Sequence, residues 1–467
     1  MNHILKSVYD RSPITIQNAL LTGYSAWLER KRYGARFREY QTLLKEMEWQ
    51  DRAMIEAYQQ ERLQTLISHA YDTVPFYRRR FDSIRLKPSD IRSGVDLQKI
   101  PLLTRSDVKQ HYADLISRSA PRHLTSGHTS GTTGSPLAVC YDASAVGMAY
   151  AAYDRHYRWA GCVLGRNGDR VAVARGNVIV PLQQRGGPYW RYNWLHNQLL
   201  LSSFHLSPAN LPLYFDAMKR FGSVVLDGYP STLFILAKYL KNIGATFPLK
   251  AVISSSETLY DFQRVLIEER FACRVFDYFA LAERVVFSGE CERHEGNHLA
   301  MEYGIAEVLD AEHQPVKPGV MGTLVGTGLH NWAMPLIRYV TNDQASLKPY
   351  PCSCGRALVL MDDVTTKAED VLTLRDGRLI SPSVLTHPFK PMDCIEASQI
   401  IQKDYDRIVI RLVPRSDYTP SMGDTLVRGL RDRLGEDVSI AIELVDALPQ
   451  SANGKFKWVT SEVSIGI

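Results

Sequence analysis

The 467-residue chain has no uninterrupted apolar run of about 20 residues, so no transmembrane span is expected. It has no block of like charges: Lys and Arg are spread along it, and a net charge of +5 makes no electrostatic case for a nucleic-acid partner. Its seven cysteines are few and odd in number, which argues against a disulfide framework and for a reducing, cytoplasmic setting. There is no internal repeat and no low-complexity tract. The stretch "MNHILKSVYDRSPITIQNALLTGYSAWLERKRYG" has no apolar region followed by a small-residue cleavage site, because Pro13, Gln17 and Asn18 interrupt it. Arg30, Lys31, Arg32 and Arg36 follow its apolar part, which suits a helix packed on the protein or one lying on a membrane surface.

What is present is a folded, globular composition, 45% hydrophobic and 22% charged, in a chain long enough for two or three domains. Residues 1–85 read as a helical segment, with "DRAMIEAYQQERLQTLISHAYDTVPFYRRRF" keeping helical spacing until Val74-Pro75 stops it. From about 125 to 350, strand-like runs ("DRVAVA", "SVVLDGYP", "LKAVISSS", "CRVFDYF") alternate with helix-like ones ("STLFILAKYLKNIG", "YDFQRVLIEERF"), the rhythm of an α/β architecture. Residues 296–350 turn β-rich, and "DRIVIRLVP", "SMGDTLVRGLRDRLG" and "VSIAIELVDAL" form a β-α-β unit of the size of a separate C-terminal domain.

Four segments carry candidate chemistry. "TSGHTSGTTGSP", Thr125 to Pro136, reads as a loop after a helix and before a strand; its glycines and hydroxyls suit an anion or a plain surface loop, and it lacks the lysine pattern of P-loop NTPases. "SSSETL", holding Ser256 and Glu257, and then "DYFALAERV" lie at the ends of strand-like runs, where open α/β sheets place ligands. There Phe279 could stack on a flat ring or be core, and Glu283 could reach a metal ion or be a solvated acid at a helix start. "MPLIRYVTND" puts Asp343 at a turn, to serve a ribose or only the turn. "LPQSANGKFKW" presents Lys455 at an exposed turn, as a catalytic or an ordinary solvated charge.

In this order and at these separations the segments resemble the adenylate-forming superfamily of acyl-CoA synthetases. The resemblance is nearest to its phenylacetate-CoA ligase-like branch, including the CapK-like proteins found with capsule polysaccharide genes. It implies an α/β fold with a large multi-sheet N-terminal domain, residues 1–369, and a small mobile α+β C-terminal domain, residues 370–467. It implies ATP-dependent activation of a carboxylic acid through an acyl-adenylate, then transfer to a thiol of CoA or a carrier protein. The alternatives are an amine acceptor, such as an amino sugar in polysaccharide biosynthesis, and a nucleotide-binding module without turnover.

By resemblance Thr129, Ser130, Gly131, Thr132, Thr133 and Gly134 would grip ATP phosphates, with Ser135 standing where many relatives carry Lys. Phe279 would stack on adenine and Glu283 would help hold Mg²⁺, although Ala280 and Ala282 replace the usual Gly and hydroxyl. Asp343 would bind the ribose, with Arg338 beside it. Lys367 and Asp370 would form the hinge, and Lys455 would be the catalytic lysine. A homodimer is a family-level expectation.

Cys291, Cys352 and Cys354 with a nearby histidine match a closed three-cysteine, one-histidine zinc site, although free cysteines or a Cys352–Cys354 redox pair would fit as well. His298 aligns with the histidine of similar sets in the branch, and His294 is its rival. Cys140, Cys162, Cys273 and Cys394 read as buried apolar residues. Tyr189, Trp190, Tyr192, Trp194 and Tyr229 suggest either an aromatic-walled acyl pocket or plain core.

Overall fold

The computed structural model describes residues 3–129, 137–362, 364, 371–380, 382–389, 391–392, 394–448 and 458–463. Five helices fill the first segment: α1 (His3–Arg11), α2 (Ile14–Arg32), α3 (Ala35–Met47), α4 (Arg52–Thr73) and α5 (Pro75–Ser83). Asp51 starts α4 by accepting the Met54 N–H at 2.8 Å. The helix buries Ile55, Leu63, Leu66, Ile67 and Ala70 along one face. It ends where Pro75 forces Val74 into an extended conformation, and the same proline opens α5 at its first turn.

A short α6 (Arg105–Gln110) follows a reciprocal cap between Thr104 and Asp107. The glycine-rich segment lies between two paired strands, β1 (Thr125–His128) and β2 (Ala138–Tyr141), so a strand precedes it and not the expected helix. After α7 (Ala143–Trp159) come β3 (Val171–Ala174), β4 (Trp190–Asn193), β5 (Gln198–Leu201), α8 (Leu211–Phe221), β6 (Val225–Gly228), α9 (Pro230–Asn242), β7 (Ala251–Ser255), α10 (Asp261–Phe271) and β8 (Val275–Ala280). Strands β9 (Phe287–Glu290) and β10 (Asn297–Leu299) follow.

Strands β11 (Gly304–Leu309), β12 (Gly322–Gly328) and β13 (Tyr339–Ala345) make a separate antiparallel sheet. Strand β14 (Leu360–Met361) returns to complete a nine-stranded sheet of order β14-β10-β9-β8-β7-β6-β3-β5-β4. Its middle strands, β5, β3, β6, β7 and β8, are parallel. They read as unbroken apolar runs because helices cover both faces: β6 and β7 are buried along their whole length. One core lies under α8 to α10, where Leu226 and Val252 meet Leu233, Leu236, Ile267 and Phe271.

Next in the chain are the ribbon β15 (Leu372–Thr373) and β16 (Leu379–Ile380), α11 (Pro382–Leu385), β17 (Ile395–Asp404), β18 (Arg407–Pro414), α12 (Pro420–Leu434), β19 (Ser439–Leu444) and β20 (Val459–Ser461). Strands β17 to β20 form a sheet of order β19-β18-β17-β20 with its own core, including Leu426, Leu430 and Trp458. The expected β18-α12-β19 unit is there, and the strand missing from it is β17. Its buried middle holds Ser398, Gln399 and Gln402, which hides the apolar signal of a central strand. Gln402 satisfies its amide on the Thr373 backbone, accepting at 3.1 Å and donating at 2.6 Å.

The helical and large-sheet parts are tied by a dry ion pair. Arg155 of α7 donates to Glu302 at 2.8 Å, with the two side chains 1% and 0% exposed. Glu302→Leu strands the guanidinium, and we expect it to lower unfolding stability by about 3–5 kcal/mol, read as a drop in the urea midpoint. Adding Arg155→Met to that variant is expected to recover most of the loss.

Candidate active site

The parallel strands open to one side at their C-terminal ends, and side chains from four of them converge there. Arg175, just after β3, donates from Nε and Nη2 to Asp227 of β6 at 2.9 and 2.5 Å. It also donates to Ser255 of β7 at 3.0 Å and to the Tyr278 hydroxyl of β8 at 3.1 Å. Tyr157 of α7 donates to the other Asp227 oxygen at 2.7 Å. Tyr229 lies 5.7 Å from the Arg175 guanidinium.

A second group forms beyond the end of β8. Glu283 follows the strand in a turn and is 6% exposed, so the reading of it as a solvated acid at a helix start does not hold. It accepts the Tyr339 hydroxyl at 2.8 Å and lies 3.9 Å from Arg105. Arg105 also donates to the Thr129 hydroxyl oxygen at 2.8 Å. Thr129 and Leu137 exchange backbone bonds across the mouth of the glycine-rich segment: the Thr129 N–H donates at 3.0 Å, and the Leu137 N–H donates to the Thr129 side chain at 2.9 Å.

The β1–β2 ribbon is held to the Glu283 turn by Tyr141, whose hydroxyl donates to the Ala282 carbonyl and whose ring lies 3.9 Å under the Arg284 guanidinium. Gly127 must stay bare, since a Cβ there would sit 2.1 Å from the Tyr141 hydroxyl.

Asp343, on β13, completes the group. Its N–H donates to the Thr341 hydroxyl at 3.1 Å. Burial, and then the nearby charge of Glu283, push its carboxyl up to about 7. Two acidic side chains thus lie near each other, and Arg105 is paired with Glu283. Such a pair of acids fits a divalent cation, which would relieve the repulsion between Glu283 and Asp343.

Of the residues expected at the site, Thr129, Glu283 and Asp343 are brought together, and Phe279 lies half-buried on β8 against the core. Arg338 is held by Glu307 in a two-point clamp at 3.0 and 2.9 Å, and it donates to the Ile100 carbonyl at 2.7 Å. Glu257 accepts the Ser231 N–H at 3.0 Å at the start of α9, a helix-capping role, and Ser256 is an exposed residue with φ +74°. Ser130 to Gly134, Ser135, Lys367, Asp370 and Lys455 lie outside the described residues.

Arg105 and the Arg175–Asp227 pair were missed in the sequence. The signal for Arg105 is the Thr-x-x-Asp cap in "TRSD", which sets Arg105 at the first helical position. The aromatic wall is dispersed: Tyr189 stacks on His205 in the core, Trp194 is 56% exposed, and only Tyr229 stands at the strand ends.

Away from this cleft, the ligand atoms of Cys291, His298, Cys352 and Cys354 all lie within 4.8 Å of one another. Cys291 and Cys352 sulfurs are 3.7 Å apart, and His298 Nε2 is 3.5 Å from Cys354. His294 is outside this set and faces Glu290 at 3.6 Å instead. Burial, with Arg356 nearby, holds the His298 imidazole down to about 4, so it is neutral, the form that binds metal. Three soft sulfurs and one imidazole with no open side match a tetrahedral structural site. Of the other cysteines, Cys140, Cys162 and Cys394 are buried as expected, whereas Cys273 is half-buried.

A family model described as the CapK C-terminal domain matches residues 372–462. Protein CapK of Staphylococcus aureus is 25% identical over 467 residues, spanning 98% of this chain and 100% of its own. A phenylacetate-coenzyme A ligase of Thermus thermophilus is 28% identical over 446 residues, spanning 89% of this chain and 98% of its own. Among solved structures, 2-hydroxyisobutyryl-CoA ligase in its postadenylation state superposes with a TM-score of 0.56 at 20% identity, over 89% of this chain and 91% of that one. An open conformation of that ligase with 2-HIB-AMP and CoA gives 0.54 at 19% identity, over 89% and 93%. The fold is therefore that of these ligases.

Asp343 stays protonated in the folded chain up to about pH 7, whereas in the unfolded chain it ionises near 4, so its ionisation works against folding as pH rises between those values. Asp343→Asn removes this dependence. Its melting temperature relative to the parent is expected to climb from about pH 4 to about pH 8, and a pH series of thermal melts checks the sign.

Proposed function

We propose that the chain, similar over nearly its whole length to protein CapK and to a phenylacetate-coenzyme A ligase, is an adenylate-forming enzyme of that branch, which activates a carboxylic acid with ATP and passes the acyl group to a thiol of CoA or a carrier protein. The observation that carries this reading is the meeting of Thr129, Arg105, Glu283 and Asp343 at the mouth of the glycine-rich segment. A carboxylate oxygen attacks the α-phosphorus of ATP, the new C–O–P linkage forms, and pyrophosphate leaves with the electron pair of the broken P–O bond. Both reactants are anionic, so the step depends on positioned positive charge.

Glu283 would help hold Mg²⁺, which when bound neutralises phosphate charge, and Asp343 would bind the ribose hydroxyls. Arg105 pairs with Glu283 and holds Thr129, which closes the base of the phosphate-gripping segment. Ser130 to Gly134 would bind phosphate through N–H and hydroxyl groups, with Ser135 adding no charge. Lys455 supplies the cation aimed at the transition state. The 370–467 part turns about the Lys367–Asp370 segment, and the thiol then attacks the acyl carbon of the adenylate, so that the thioester C–S bond forms and AMP leaves with the electron pair of the broken C–O bond.

With pure protein, ATP and a panel of carboxylic acids, AMP formation is expected to depend on one acid class and to rise with CoA. Lys455→Ala is expected to reduce acid-dependent exchange of pyrophosphate into ATP by at least about 100-fold while nucleotide binding persists. Exchange at the parent rate in that variant overturns the role of Lys455. AMP formation stimulated by an amino sugar and not by CoA transfers the reading to an amine acceptor, and ATP binding without AMP formation for any acid makes the chain a nucleotide-binding module.

We further propose that Cys291, His298, Cys352 and Cys354 hold one structural Zn²⁺. Metal analysis is expected to give one zinc per chain. Cys352→Ser should lose it and melt at lower temperature, while Cys140→Ser should keep it.

A further inference from the structure

Helix α2 is amphipathic in the wrong sense for a helix packed on a protein core. Its buried residues are polar, Gln17 and Asn18. They serve β4, the free edge of the large sheet: the Tyr192 N–H donates to Asn18 at 2.9 Å, the Trp194 N–H to Thr22 at 3.3 Å, and Arg191 to Gln17 at 2.5 Å. The edge strand is thus capped by side-chain oxygens, which blocks edge-to-edge pairing.

The opposite face carries Ile16, Leu20, Tyr24 and Trp27, which are 48%, 44%, 55% and 52% exposed. Their spacing of four, four and three places them in one stripe along the helix. Tyr24 and Trp27 stack at 5.7 Å, and the Lys31 ammonium lies 4.2 Å over the Trp27 ring, so the stripe ends in aromatic rings and a cation.

Charge is concentrated at the same place. Residues 1–38 hold seven Lys and Arg against two Asp and Glu, so this segment accounts for the whole net charge of +5 and the rest of the chain is balanced. On the helical wheel Arg30 and Lys31 fall on the stripe's side, whereas Glu29 falls on the other.

We propose that α2 is a docking helix for an anionic lipid surface, lying in the plane of the bilayer with Ile16, Leu20, Tyr24 and Trp27 in the acyl boundary and Arg30 and Lys31 among the headgroups. An apolar face with Trp and Tyr near the headgroup level and cations beside them is what an interfacial helix requires. No helix of the described residues is long and apolar enough to span a membrane, so the attachment is peripheral. A second copy of the chain fits the stripe poorly, because it would bring the same positive segment against itself. The cleft chemistry plays no part in this inference.

The test is flotation of the full chain with lipid vesicles. Binding is expected to vesicles of phosphatidylcholine with phosphatidylglycerol, to weaken at high salt, and to be poor with phosphatidylcholine alone. Replacing Arg30 and Lys31 by Gln should weaken partition roughly fivefold per charge. Leu20→Glu with Trp27→Glu should abolish it while the melting temperature stays near that of the parent, since both side chains are exposed. Parental binding by that double variant, or no binding to anionic vesicles at low salt, overturns the proposal. So does concentration-dependent dimerisation that the double variant removes in the absence of vesicle binding.

Discussion

The constraint on which the candidate site depends is the burial of one carboxylate. An ionised Glu283 taken out of water costs several kcal/mol unless it finds partners, and it finds them on two distant segments, the Tyr339 hydroxyl and Arg105. Arg105 is delivered by backbone pairing: the Leu103 N–H donates to the Arg338 carbonyl at 2.9 Å, and the Val340 N–H donates to Leu103 at 3.0 Å. The clamp of Arg338 on Glu307 and on the Ile100 carbonyl holds that same strip. Arg338 therefore holds the strip from Ile100 to Leu103 that leads into Arg105.

Two polar groups at the strand ends differ in charge balance, and the difference separates scaffold from site. Around Arg175, the cation meets one carboxylate, and both are completed by Ser255, Tyr278 and Tyr157. A satisfied network of this kind makes a rigid floor with no demand for a ligand. Around Glu283 and Asp343, Arg105 pairs with Glu283, and burial first and then the charge of Glu283 raise the Asp343 carboxyl.

The central strands and the helices α9 and α10 were legible because strands covered on both faces read as unbroken apolar runs and the helices keep a 3.6-residue period. Strand β17 was not, since it buries Ser398, Gln399 and Gln402, and the bonds that satisfy Ser398 and Gln402 leave no mark in the pattern. Glu283, Asp343 and Thr129 were legible through family resemblance alone. Their letters also suit turns and surface loops, and only the tertiary pairing of Leu103 with Tyr339 gives them company. At α2 the sequence suited a helix packed on the protein or one on a membrane surface, and the structure packs it on β4 through Gln17 and Asn18. Helical period tells that a helix has two faces, and the neighbouring element decides which one is inside. Here the neighbour is a strand edge with unpaired N–H groups, which selects oxygen-bearing side chains over methyls.

The cysteine cluster lies outside the cleft yet bears on it through strand register. Cys291 directly follows β9, whose residues pair with the end of β8: Tyr278 with Gly289, Phe279 with Ser288, and Ala280 with Phe287. Behind them Glu290 accepts the Asp277 N–H at 2.8 Å and meets Arg264 at 3.1 and 3.0 Å. Gly289 admits the His156 ring, which a Cβ would meet at 2.5 Å. A slip of one residue between β8 and β9 would turn Phe279 to the opposite face, move Gly289 off His156 and shift the Glu283 turn. A metal ion held by Cys291, His298, Cys352 and Cys354 would link Cys291 to the segment before β14 and to β10, and would fix the far end of the hairpin that carries Glu283.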